Sequence, residues 1–391
     1  MLKLRIKVYI FSTVLLLLQL NSQAKESNIV KSQVVLEDDI SKGEYLKTYI
    51  KRELRRLDKN KDGQLQKEEY AKSKLKKEGL DKNNDQTLSQ DELLNIKLNY
   101  LETGGKRMLN VLYKKTKEED LYIDIYYPEN IEEAKKLPVV FYTHGGGWAN
   151  GSKHGITSGP FSKVSLALLK KGFCVVSINY RKWVANGTTA MRHCVIDSKD
   201  AMRFLAKNHV KYGIDTKRFF SFGDSAGGHI SQMLLFSSSN VLTGDKELAN
   251  YSYTMAGGVS WYGPCDFQNI QLFNYDNREN FRDRFGLRIL NTRDITPNEK
   301  EKLYKEMSPI SYLTKNSAPL LMIQGDMDTT IPVKHAYKMQ KKIKEFGSLP
   351  IEILIVKNAG HNWREANPGT KIIPQTDTII EKTIEFLANL K

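Results

Sequence analysis

The rhythm of apolar and polar positions changes twice along the chain. Behind a basic start, the apolar run "VYIFSTVLLLLQL" gives way to polar residues 25–42. From "GEYLKTYIKRELRRL" the spacing becomes helical, with Leu46, Ile50, Leu54 and Leu57 on one face. From about Arg107 it changes again. "LYIDIYYP", "LPVVFYTHGGGW", "GFCVVSINYR", "RFFSFGDSAGG", "MAGGVSWYG", "PLLMIQGD" and "IEILIVKNAGH" are short apolar runs that close on glycines or polar residues. Helical stretches separate several of them, among them "DSKDAMRFLAKNHVKYG", "HAYKMQKKIKEFG" and "DTIIEKTIEFLANL". This alternation predicts an α/β fold, a mostly parallel sheet with helices on both faces. In such sheets the chemistry collects at the carboxyl ends of the strands.

The N-terminal run carries Lys3, Arg5 and Lys7 in front, and Ser22 and Ala24 at the small-residue positions of a cleavage site. Residues 1–24 are therefore expected to be a secretory signal peptide, with a secreted or periplasmic product. An uncleaved anchor is the alternative, but the run is short for a bilayer, and no transmembrane span is expected. No cysteine follows that could take a lipid.

Export implies an oxidising compartment. The chain has only Cys174, Cys194 and Cys265. An odd number leaves at least one thiol free or paired between chains, and no disulfide is assigned. The formal charge of +15 comes from lysines scattered over nearly every segment. No basic stripe is interleaved with aromatics, so no nucleic-acid partner is expected.

After residues 25–42, read as a linker, the helical face leads into "DKNKDGQLQKEE". Calcium needs six to eight oxygens around it, and a twelve-residue loop supplies them from fixed positions. Asp58, Asn60 and Asp62 stand at positions 1, 3 and 5, and Gly63 at the sharp turn. Gln64 offers its carbonyl at 7, Gln66 faces 9, and Glu69 can bind through both oxygens at 12. A second loop, "DKNNDQTLSQDE", places Asp81, Asn83, Asp85, Thr87, Ser89 and Glu92 equivalently. Its turn position is Gln86 rather than glycine, and a left-handed backbone there costs about 1–2 kcal/mol. The second loop is expected to bind more weakly. Leu65 and Leu88 are equivalent and would pair between the loops. The unit, residues 43–103, resembles the compact EF-hand pairs of secreted bacterial proteins. That resemblance implies a small all-α module whose Ca2+ is structural rather than switching.

In the large segment, residues 104–391, the chemistry starts at "GDSAG". Ser225 stands between Gly223 and Gly227, after a strand and before a helix. Such a turn pushes the hydroxyl out of the surface. A serine alone is a poor nucleophile and needs a base. His361, in "NAGHNW" after the last strand, is the best placed of the histidines. His229, on the helix after the turn, is expected to point away. "IQGDMDTTIP" offers Asp326 and Asp328 as the acid that orients the base, and Asp328 is preferred. "HGGGW" supplies an oxyanion loop, with the amides of Gly146, Gly147 and Ala226 as donors. Trp148 either lines the pocket or packs behind that loop. Residues 267–315 carry Phe273, Tyr275, Phe281 and Phe285, and are either a cap or a surface insertion.

"HGGGW", "NYR", "GDSAGGH", "YGPCDF", "GDMDTTIP" and "AGHNW" together resemble the esterases of the α/β-hydrolase superfamily. The similarity points to hormone-sensitive-lipase-like carboxylesterases and to the bacterial feruloyl/acetyl-xylan esterase-like group, over about residues 107–391. It implies an α/β-hydrolase fold, the chain order Ser, Asp, His, and Asp328 as the acid. It also implies a small ester or carbohydrate ester as substrate. Gln324 departs from the histidine that relatives often carry before the glycine. Two alternatives remain open: an amidase or peptidase on the same fold, and a calcium-dependent binding protein with an inactive hydrolase domain.

Overall fold

The computed structural model describes residues 43–71, 73, 75, 79–130, 136–274, 281–291 and 295–391. The expected signal peptide and linker lie outside the described residues, as does Tyr275. Among the described residues no helix is long and apolar enough to cross a membrane.

The N-terminal module opens with a helix over residues 43–57. Strands β1 (Leu65–Gln66) and β2 (Thr87–Leu88) pair antiparallel, with Leu65 opposite Leu88. Ile50, Leu65, Tyr70, Leu75, Leu80, Leu88, Leu93 and Ile96 form its core. The sides of the 43–57 helix left over from this core dock on the large domain. Tyr45 is fully buried there, and its hydroxyl meets His154 Nε2 at 2.9 Å and Asn179 Nδ2 at 3.3 Å. Arg55 pairs with Glu119 at 3.0 Å.

The large domain is built on eight strands: β3 (Arg107–Lys115), β4 (Asp120–Tyr126), β5 (Leu137–Thr143), β6 (Cys174–Ile178), β7 (Ile214–Asp224), β8 (Met255–Trp261), β9 (Leu320–Gly325) and β10 (Ile351–Val356). Their spatial order is β10-β9-β8-β7-β5-β6-β4-β3. β3 and β4 pair antiparallel, and β4 with β6 likewise; all other neighbours are parallel. Each predicted run lies on a strand of this sheet.

The sheet is covered on both faces, which is why its central strands read as unbroken apolar runs. Val139 and Phe141 join one core cluster, while Val140 and Tyr142 join the cluster on the opposite face. Helices Met191–Lys207 and Ala226–Phe236 pack on the first side, and Gly159–Lys170 and Thr376–Asn389 on the second. Cys174, Cys194 and Cys265 are all buried and free.

Candidate active site

β7 ends at Asp224, and helix Ala226–Phe236 begins after a single intervening residue. Ser225 makes that turn with φ 53° and ψ −117°. Such a backbone costs a non-glycine residue about 1–3 kcal/mol and persists only where its surroundings over-determine it. Here the Ser225 amide donates to Trp261 O at 2.8 Å and the Ser225 carbonyl accepts from His229 N at 3.0 Å. The flanking glycines are a space requirement. A Cβ on Gly227 would lie 1.9 Å from Thr143 O, and one on Gly223 2.3 Å from Gly227 O.

His361 follows β10 in a short 3-10 turn, His361–Trp363. Its Nε2 lies 3.0 Å from Ser225 Oγ, and its Nδ1 lies 2.7 Å from Asp328 Oδ2. A carboxylate only accepts, so Nδ1 carries the proton and Nε2 offers its lone pair to the hydroxyl. Asp328 is fully buried. Its Oδ1 accepts from the amides of Thr330 and Ile331, at 2.8 and 2.9 Å. Gln324 Nε2 donates to Oδ2 at 3.2 Å and to Ile331 O at 2.6 Å. The glutamine that departs from the expected histidine thus fixes the carboxylate. Asp326 is not brought into this chain of contacts; its amide bonds to Val356 O.

The glycine loop folds over the serine. Gly146, Gly147 and Trp148 all have positive φ, at 115°, 59° and 61°. The amides of Gly146, Gly147 and Ala226 donate to no protein acceptor among the described residues. They are free to meet an oxyanion. A pocket of about 300 Å3 opens here, lined by Gly146, Gly147, Trp148, Ser225, Phe285 and His361, with Arg288 at its wall.

Trp148 borders the pocket yet is 1% exposed, with its indole against Phe267 and Phe285. His229 does turn from the serine. It accepts from Trp148 Nε1 at Nδ1 (3.2 Å) and donates from Nε2 to Met307 O (2.8 Å). Burial pushes it down to about 4, so it stays neutral in that role.

The 267–315 segment contributes directly to the pocket. Its helix Phe281–Leu290 supplies Phe285 and Arg288, and Arg288 Nη1 donates to Gly147 O at 2.5 Å. Phe273 packs inside the segment against Phe267, while the Phe281 side chain lies outside the described residues.

Motif reading alone missed Asp224. Its Oδ1 accepts from Gly145 N at 2.9 Å and from Tyr142 OH at 3.2 Å, tying the serine turn to the root of the glycine loop. Burial lifts its carboxyl to about 6. The folded state therefore holds a proton that the unfolded chain releases near pH 4. That contribution to stability is complete below about pH 4 and is lost as pH rises through about 6, on the order of 3 kcal/mol. An Asp224→Asn variant has no such loss. Its stability relative to wild type should rise by about 3 kcal/mol between about pH 4 and pH 7 in urea denaturation. A difference that stays constant over this range contradicts the burial argument.

The two N-terminal loops repeat one hydrogen-bond plan. Asp58 accepts from Gly63 N at 2.9 Å, and Asp81 from Gln86 N at 3.1 Å. Glu69 accepts from the amides of Lys59 and Gln66, and Glu92 from those of Lys82 and Ser89. Asn60 and Asn83 accept from the amides of Asp62 and Asp85, and the carboxylates of those two aspartates accept from Gln64 N and Thr87 N. Gln86 has φ 65°, the left-handed turn that Gly63 makes at 83°. Among the described residues no three His, Cys, Asp or Glu side chains converge as a metal-holding group, and the loop carboxylates meet the loop's own amides. The donor set is nonetheless all oxygen, and Asp81 Oδ1 is buried without a partner, which fits a hard cation.

A serine on a strained strand-to-helix turn, joined through histidine to a buried aspartate at the strand ends of a parallel sheet, defines the α/β-hydrolase class. The BD-FAE family model matches residues 123–343, more than half of the chain, and the chain belongs to that family. It is 30% identical over 230 residues to esterase LipC of Mycobacterium tuberculosis, covering 59% of this chain and 54% of the relative. It is 24% identical over 237 residues to isoprenylcysteine alpha-carbonyl methylesterase ICME of Arabidopsis thaliana, covering 58% and 50%. The chain thus spans about half the length of the curated relatives it matches. Among solved structures, native esterase 2 of Thermogutta terrifontis superimposes with a TM-score of 0.57 at 20% identity, over 73% of this chain and 92% of that one. That similarity concerns the fold.

Proposed function

We propose that the chain is an exported serine hydrolase that cleaves carboxylic esters of small molecules, with acetyl or feruloyl groups on carbohydrate as the favoured class. The supporting observation is His361 standing between Ser225 Oγ at 3.0 Å and Asp328 Oδ2 at 2.7 Å. Curated relatives whose names give ester cleavage favour the same reading.

In this mechanism Ser225 Oγ attacks the acyl carbon while His361 Nε2 takes its proton. Negative charge develops on the carbonyl oxygen and is met by the amides of Gly146, Gly147 and Ala226. As the carbon–oxygen bond to the alcohol breaks, His361 returns the proton to the leaving oxygen. Water then repeats the sequence on the acyl-serine, with His361 as base, and frees the acid. Asp328, held by Gln324 and two backbone amides, keeps the imidazole in one tautomer and stabilises its charged form. Trp148, Phe285 and Arg288 shape the acyl or alcohol pocket.

Rates on p-nitrophenyl acetate, acetylated sugars and feruloyl esters, run beside formamide and peptide substrates, test the reading. Faster turnover of amides than of esters would reassign the chain to the amidase alternative. No turnover of any ester would favour the binding-protein alternative.

The N-terminal loops are proposed to hold Ca2+ through Asp58, Asn60, Asp62, Gln64, Gln66 and Glu69, and more weakly through Asp81, Asn83, Asp85, Thr87, Ser89 and Glu92. The ion neutralises the loop carboxylates and braces the module; it takes no part in acyl transfer. At about 100 times its dissociation constant it would stabilise the module by roughly 2.7 kcal/mol. A chelator is expected to lower the module's melting temperature and to leave ester turnover mostly intact below that temperature. An unchanged calorimetric trace would argue against bound calcium.

A further inference from the structure

Along the seam between the 43–57 helix and the large domain lies a second cavity, about 420 Å3 and partly open to solvent, that acyl transfer does not use. One wall is Arg52, Glu53 and Arg56. The other includes Lys182 and residues 150–152, the far limb of the loop that carries Gly146 and Gly147.

Two cations lining this cavity are buried, and among the described residues neither makes a short ion pair. Arg52 is 4% and Lys182 3% exposed. Arg52 reaches Glu53 at 3.5 Å, and its Nε has no partner among the described residues. Its guanidinium lies 4.5 Å over the Tyr49 ring, which fixes it in place. Lys182 Nζ can donate three hydrogen bonds but among the described residues gives one, to Gly151 O at 3.0 Å. Burial and the neighbouring Arg52 push Lys182 down to about 7, against the pull of Glu119 and Glu53. Glu53 is itself committed to Arg56, through Nη2 at 2.5 Å and Nε at 3.2 Å. Asp224 also reaches this cavity, but its Oδ1 is taken by Gly145 and Tyr142. Burying cationic donors without acceptors is costly, and the cost is recovered if a guest supplies the oxygens.

We propose that this seam cavity is a binding site for one small oxyanion, seated between Arg52 and Lys182. The guest presents sulfate-like or carboxylate oxygens, either as a free inorganic ion or as the acid group of a uronic sugar. Arg52 offers its planar fork and Lys182 its remaining donors. Arg56 keeps Glu53 from repelling the guest. Because residues 150–152 form the opposite wall, an occupant joins the N-terminal helix to the loop that shapes the oxyanion hole.

Calorimetric titration of the full chain with sodium sulfate and with sodium glucuronate, against sodium chloride at equal ionic strength, tests the site and separates the two sources. Saturable binding of one sulfate or one glucuronate per chain is expected, with none for chloride. Lys182→Met and Arg52→Gln should each weaken it by about tenfold or more. Where either buried substitution prevents folding, the partly exposed Arg56→Gln serves in its place. Freeing Glu53 toward the cavity should then weaken binding several-fold. Absence of saturable binding of both anions to wild type overturns the proposal. So does equal affinity in a folded Lys182→Met or Arg56→Gln chain.

Discussion

A Ser225→Ala chain should lose about five to six orders of magnitude in ester turnover while keeping its fold. The hydroxyl is placed to bond to an acyl carbon where His361 Nε2 can take its proton at 3.0 Å. Alanine also keeps the strained φ of 53° without a clash, so stability should change little. His361→Ala should cost nearly as much, and the double variant little more, because the pair acts as a unit. Asp328→Asn should cost about 10⁴-fold, since an amide can hold the imidazole in the wrong tautomer. The Thr330 and Ile331 amides would still bind its oxygen and keep the loop in place. Initial rates on p-nitrophenyl acetate and labelling by a fluorophosphonate probe check all of these. A Ser225→Ala chain that retained even about a hundredth of the wild-type rate would remove Ser225 from the chemistry.

The parts legible from sequence are those in which a local signal and a long-range role coincide. Ser225, Asp328 and His361 each follow a strand, and a parallel sheet brings strand ends together whatever the loops between them. Their meeting in space therefore needed only the recognition of β7, β9 and β10. β3 was not legible as a strand. Register shifts against β4 break its alternation, and its burial follows no period of two. Helix Gly159–Lys170 was also missed, although it covers one face of the sheet.

Asp224 and Gln324 were visible as letters, but their partners were not. Asp224 stands inside "GDSAG", yet its acceptor role depends on Gly145 and Tyr142, some 80 residues away. Gln324 acts through Asp328 and the Ile331 carbonyl, a contact that a tight loop creates and composition does not announce. The docking of the N-terminal helix was beyond the sequence for a similar reason. Leu46, Ile50, Leu54 and Leu57 mark the face toward the module's own core, whereas Tyr45 and Arg55 meet the large domain. Polar residues at such an interface look like ordinary solvated positions until the partner surface is known.

That interface rests on a buried charge, and breaking it should have the largest effect on stability. Lys153 and Asp124 are both fully buried. The ammonium meets both Asp124 oxygens at 2.6 Å and Asn110 Oδ1 at 2.8 Å, and lies 4.3 Å from the centre of the Tyr45 ring. Asp124→Ala leaves one neutral acceptor for a cation in the interior, and should cost about 3–5 kcal/mol. The loss depends on pH in a defined direction. Burial already pushes Lys153 down to about 8, below its unfolded value, so wild type loses stability as pH falls through about 8. Without Asp124 the lysine ionises lower still, and the variant regains stability over a wider range as pH rises. The gap between the two should therefore be larger at about pH 6.5 than at about pH 9.5 in urea denaturation. A Lys153→Met, Asp124→Leu chain, which removes both charges, should recover most of the loss, because an apolar pair avoids the desolvation cost. It should not recover the contact of Tyr45 with a cation, so release of the N-terminal helix, read by limited proteolysis, should remain faster than in wild type. An Asp124→Ala chain within about 1 kcal/mol of wild type at both pH values would mean that water reaches Lys153 and that the seam is held by other contacts.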